Sequence, residues 1–368
     1  MRSYCLASLL VLATGTAAHA DADMLGDALG KFPQIIVTNP EPVQAYFVNM
    51  QAIAQAGNDD EIARGRIDFG VIDALTPLMM GDVETWEENA GIGIDEIRYF
   101  AGIGQPPQTI SIWGLADQEV AAGLVDGLAA KGFAPLNGSA VLGNGEPHRM
   151  DPSQRDVSNP WRGQLGQATF AAQLADAVVQ STAPEGVERF LADGENAAAH
   201  PVVATALAGV DAASESGVVV QAMLISPGFG LQGADIGSIL MQGDLDMDAM
   251  RSQLEDQMAA AGEGIPPYFG GIIADIQIDR PALAMSVVYP DCDIATAASK
   301  LIEQRWMATM SDIAPGEPAS EVVEGDDGLC SAVVLIASDS EDASSNPLSR
   351  AMFSAFIQRQ FTVLQIGQ

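Results

Sequence analysis

Lysine is almost missing from this 368-residue chain. Lys31, Lys131 and Lys300 are its three, and all lysines and arginines together number 16 against 49 aspartates and glutamates. The resulting net charge of -33 would repel phosphate backbones and anionic lipid headgroups, so nucleic acid is not an expected partner. Histidine is equally scarce. His148 and His200 belong to no His-x-x-Glu-His or other close ligand spacing, which argues against zinc chemistry. Nucleophile elbows, Ser-x-x-Lys and the phosphate-cradling Gly-x-x-x-x-Gly-Lys are also missing, and Gly102-Ile103-Gly104 runs into Pro106-Pro107 where a dinucleotide fold needs a helix start. No cofactor and no metal are expected. After the N-terminus no run approaches the 18 apolar residues of a membrane span, Ala332 to Ala337 being far too short, so no membrane insertion of the mature chain is expected.

What the chain does have is apolar bulk: 48% of its residues are hydrophobic, enough for a core despite the charge. Residues 1–20 read as a secretory signal peptide. Arg2 supplies the charged start, Cys5 to Ala13 the apolar stretch and Ala18-His19-Ala20 the small-x-small cleavage site. Periplasmic or secreted localisation follows, and cleavage leaves Cys292 and Cys330 as the remaining thiols. In an oxidising compartment an even pair is a disulfide, here tying a helix start to a downstream strand.

Strand-then-helix grammar recurs along the sequence. Thr109 to Leu115 predicts a strand, Asp117 caps a helix with Val120, Leu124 and Leu128 on one face, and Gly132 stops it. Gly217 to Ile225 and Ile236 to Gln242 read as a strand pair, followed by a helix capped by Asp244 or Asp246. Ile272 to Ile278, turning at Asp279-Arg280-Pro281 into Ala282 to Tyr289, predicts a hairpin, and Ile294 to Met310 a helix. Strands are also expected near Gln34 to Thr38 and Val43 to Asn49, with Trp86 and the Met79-Met80 pair packed inside. The closing segment, with Phe353, Phe356, Ile357, Phe361 and Leu364, predicts a core-docking helix. These features give an α+β fold of two related modules, each a mainly antiparallel sheet with helices packed on one face: an N-terminal module over 21–213 and a disulfide-bearing C-terminal module over 214–368.

The most unusual polar stretch is Gly143 to Gly163, which gathers Arg149, Arg155 and Arg162 with His148, Asp151, Asp156 and Trp161. An arginine cluster on an acidic molecule offers donors to a carboxylate or sulfate, and Trp161 an apolar stacking face. Ligand-binding roles are therefore assigned to His148, Arg149, Asp151, Arg155, Trp161 and Arg162. The structural alternative is a long loop held by Arg–Asp pairs, prolines and a buried tryptophan. Asp244, Asp246, Asp248 and Glu255 have calcium-loop spacing, but Ala249 stands where the turn needs glycine. The function that fits best is an exported binding or interaction protein without catalysis, its partner an unknown small molecule or envelope protein. The alternatives are an exported enzyme, possibly a hydrolase with His148 as base, and a calcium-assisted envelope structural protein.

Overall fold

The computed structural model describes residues 20–38, 44–57, 63–68, 72–105, 108–163, 165–214, 217–226, 229–230, 264–358 and 363–367. The leader, apart from Ala20, and the 236–262 strand, helix and calcium-type spacing lie outside them.

Among the described residues twelve strands form one sheet, every adjacent pair antiparallel. In chain order they are β1 (Ala45–Asn49), β2 (Ile97–Gln105), β3 (Gln108–Leu115), β4 (Ala134–Pro135), β5 (Leu142–Gly143), β6 (Phe170–Leu174), β7 (Ala177–Ser181), β8 (Val218–Ile225), β9 (Gly271–Gln277), β10 (Pro281–Tyr289), β11 (Gly316–Glu324) and β12 (Cys330–Ser338). The expected hairpin is present as β9 and β10, with Pro281 opposite Gln277. Gln34 to Thr38 differs: Ile35–Thr38 is a single helical turn.

Ten α-helices accompany the sheet among the described residues. They are α1 (Ala20–Gly30), α2 (Ile35–Thr38), α3 (Met50–Gln55), α4 (Thr76–Met80), α5 (Val83–Ala90), α6 (Gln118–Gly127), α7 (Pro184–Leu191), α8 (Pro201–Ala213), α9 (Cys292–Thr309) and α10 (Pro347–Ile357). None is long and apolar enough to cross a membrane.

The α+β class holds, but the helices occupy both faces of the sheet instead of one. The apolar residues of α1, α2, α7 and α8 share a core with Ala45 and Phe47 of β1, whereas those of α3 to α6, α9 and α10 share the other with Tyr46 and Val48. Alternation along a strand sends neighbours to opposite faces, and here both directions meet apolar cover. All nine residues of β10 are buried, which a sheet with one wet face does not allow.

Read outward from the centre, the sheet repeats itself. One half runs β1-β2-β3-β7-β6 and the other β8-β9-β10-β12-β11, with β1 and β8 antiparallel at the junction. The chain visits matching positions in matching order, and each third strand leads into a helix capped by an aspartate. Asp117 accepts the backbone N–H of Val120, and Asp291 that of Ile294, each three residues on. The counterpart of 108–115 in this order is therefore 281–289. Asn49 stitches the junction, donating to the carbonyl of Val219 while it caps α3.

Cys292 and Cys330 are disulfide-bonded, their Cα atoms 5.1 Å apart. The bond joins the first residue of α9 to the first of β12 and closes a loop whose chain-entropy contribution is about 4 kcal/mol. In α10 Leu348, Ser349 and Met352 are buried and Phe353 and Phe356 pack partly buried against the same core, while Ile357 is exposed, so the docking face takes in the two phenylalanines but is centred nearer the start of the helix.

Candidate functional site

The two halves differ most in what joins the capped helix to the next strand of the sheet. In the C-terminal half residues 310–315 suffice, whereas in the N-terminal half residues 128–169 intervene and carry β4, β5 and the whole Gly143 to Gly163 stretch. A segment that the repeated architecture does not need is where a site is grafted onto a scaffold.

Two polar side chains and one indole fix this excursion. Asn144 donates to the carbonyl of Trp161 at 2.8 Å and accepts from the N–H of Thr169 at 2.8 Å, fastening both ends. Gln180 of β7 donates to the carbonyl of Pro160 and accepts from the indole of Trp113. Trp161 is only 1% exposed. Its ring stacks on Trp113 with centroids 4.5 Å apart, meets Phe133 edge-on, and donates through Nε1 to the carbonyl of Ala90 at 2.9 Å. The stacking face expected for a ligand is thus spent on the protein core, because a large indole gains more from dry contact than from solvent.

The aspartates of the loop do not pair with its arginines, contrary to the expectation for a pinned loop. Asp151 accepts from the N–H and hydroxyl of Ser153, and Asp156 from those of Ser158, each closing a local turn. Those Ser153 bonds, with Arg149 and Arg162 at longer range, hold the Asp151 carboxyl below its ordinary range. Gly166 closes the loop base at φ 72°, where a Cβ would stand 1.9 Å from the carbonyl oxygen of Asp151. Only glycine fits that approach.

Of the remaining expected ligand-binding residues, His148 stands apart. It adopts φ 57° and faces Glu185 at 3.2 Å, both side chains largely exposed. Arg149 pairs with Glu146 at 2.8 Å. Asn144, Glu146, Arg149, Asp151 and Arg162 surround an open cleft of about 200 Å³.

A second cleft, of about 290 Å³, lies on the other side of Arg162. Its loop wall is Arg155, Asp156, Val157, Asn159 and Arg162, and its opposite wall comes from the turn at Asp73 and from α4, through Thr76, Pro77 and Met80. No carboxylate stands within ion-pairing distance of Arg155 or Arg162 among the described residues. Burial raises the Asp73 carboxyl above its usual range, a hydrogen bond from the Thr109 hydroxyl partly opposing this. The buried hydroxyl oxygen of Thr76 has no hydrogen-bond partner.

No protein-family model, curated protein or solved structure matches the chain.

Asp73, Thr76 and Met80 were not singled out as site residues in the sequence. Met80 was expected inside, yet it is 71% exposed. Successive residues on a helix point about 100° apart, so turning Met79 toward the core turns Met80 away. The adjacent methionines were the available signal. Among the described residues no group of three or more His, Cys, Asp or Glu side chains is arranged to hold a metal ion.

Proposed function

We propose that this is an exported, non-catalytic binding protein whose small-molecule ligand presents a carboxylate or sulfate to Arg162. The observation that carries this reading is the position of Arg162. It lines both clefts, is half-buried, and like Arg155 has no ion-paired carboxylate among the described residues, on a chain where acids outnumber bases 49 to 16. With so many carboxylates available, an arginine left unpaired in a cleft keeps its planar fork free for a bidentate partner.

The absence of catalysis from the proposal rests on His148, whose ring lies against Glu185 on the surface and has no hydrogen bond to a hydroxyl or thiol among the described residues. Export is supported by the leader pattern and the disulfide.

The test is a thermal-shift panel of small carboxylates, sulfates and amino acids on the mature protein and on Arg162→Gln. Stabilisation of the wild type by at least one compound, lost in Arg162→Gln without a change in its unliganded melting temperature, is the expected result. A panel with no stabilising compound would end the binding reading. Turnover of a panel compound that disappears in His148→Ala would end the non-catalytic one.

A further inference from the structure

The second cleft holds charges of both signs that fail to meet. Among the described residues Arg155 and Arg162 have no ion-paired carboxylate, and on the opposite wall Asp73 has no ion-paired cation: its bond comes from the neutral hydroxyl of Thr109. The half-buried Asp73 carboxylate and the half-buried Arg162 left unneutralised in one concavity are each costly alone, and a guest carrying both complementary charges relieves them together, with the exposed Arg155 adding a second donor. Both walls also present apolar surface. Met80 is 71% and Val157 51% exposed, both unusual for large apolar side chains, and Pro77 adjoins them. The volume of about 290 Å³ suits a small metabolite and not a polymer.

We infer that this cleft binds a zwitterion with an apolar body, that is, a free α-amino acid with an apolar side chain. Its carboxylate lies against Arg155 and Arg162, its ammonium against Asp73, and its side chain against Met80 and Val157. This deepens the binding reading above and rests on it. A simple anion is the poorer guest, because Asp73 and Asp156 line the same cleft and would repel it. The first cleft is the poorer site, because its Arg149 is already neutralised by Glu146 and its Asp151 is engaged by Ser153.

Isothermal titration of the mature protein with leucine, methionine, valine and phenylalanine, each beside its amide and its deaminated acid, tests the inference. At least one amino acid binds, with its amide and its deaminated acid each on the order of tenfold weaker or more, since each lacks one charge-assisted contact. Arg155→Gln, an exposed position that leaves folding unchanged, weakens the amino acid to a similar degree. Asp73→Asn narrows the preference for the amino acid over its deaminated acid. A deaminated acid that binds as well as its parent, or no binding by any of the four amino acids, overturns the inference. Should the wider panel then yield a carboxylate or sulfate lost in Arg162→Gln, the binding reading survives and only the zwitterion falls; with no such compound, both fall.

Discussion

Trp161 separates a ligand-binding tryptophan from a structural anchor, and the two roles give opposite results when the indole is removed. In Trp161→Ala the core loses a ring that is 1% exposed, the stack on Trp113 at 4.5 Å and the edge contact to Phe133 at 5.9 Å. The carbonyl of Ala90 is left without its indole donor. Truncation of a buried tryptophan costs about 3–5 kcal/mol. The orphaned carbonyl contributes within or slightly beyond that range, at about 1 kcal/mol or more, so the expected loss is about 4 kcal/mol. With a urea m-value of about 3 kcal/mol/M the midpoint falls by about 1.3 M at unchanged slope. Equilibrium urea unfolding followed by far-ultraviolet circular dichroism reads this directly. Trp161→Phe, which keeps an aromatic face but no N–H, falls between. A midpoint that moves by less than about 0.3 M, coming from less than about 1 kcal/mol of lost stability, would show that the indole is not packed as described and would return Trp161 to the ligand side of the argument.

Three further outcomes follow from the same structure. Arg66 and Asp275, both fully buried, form a two-point ion pair at 2.7 and 3.0 Å, and Asp275 also accepts from Gln221 and Asn346. Arg66→Met is expected to cost about 3–5 kcal/mol by stranding the carboxylate, and Arg66→Met with Asp275→Leu to recover part of it; equal costs for the single and double variants in urea melts would contradict this. His200 caps α8 through Nδ1, which accepts from the N–H of Val202, and burial lowers its pKa, with Glu195 opposing. The folded state therefore takes up this proton less readily than the unfolded chain, so the stability is full above the unfolded value of about 6.5 and declines as pH falls below it. His200→Asn, which keeps a cap, should flatten the melting-temperature difference between about pH 7.5 and 5.5, spanning that value, and an unaltered difference would assign the dependence elsewhere. Gly166→Ala forces a Cβ against the Asp151 carbonyl at a left-handed φ and should cost about 1–3 kcal/mol and disturb the first cleft; a neutral melt would mean that the loop base yields freely.

Much of the local architecture was legible in the residues themselves. The Asp117 cap and Gly132 stop bracket α6 and its short continuation, the hairpin turn falls at 278–280, and the cysteines pair. Each of these depends on groups within a few positions of one another, or on the two thiols that lie outside the expected leader. The α+β class follows from summing such elements. The Gly143 to Gly163 stretch also stood out by composition alone, because scarce residue types were concentrated there.

What those residues do there was settled by contacts far away along the chain. Trp161 faces inward because Trp113 and Phe133 offer it a dry slot; Arg149 turns to Glu146, and Arg155 and Arg162 have no ion pair among the described residues because Asp151 and Asp156 are taken by the serines two positions on. Asp73 and Met80 join the site only through the packing of α4 against the sheet, a placement no local pattern encodes. Likewise the match between β3 and β10, and helices on both faces instead of one, emerge only once β1 and β8 pair at the centre. Periodicity tells a strand which residues alternate, but which neighbours cover its two sides is fixed by the assembled sheet.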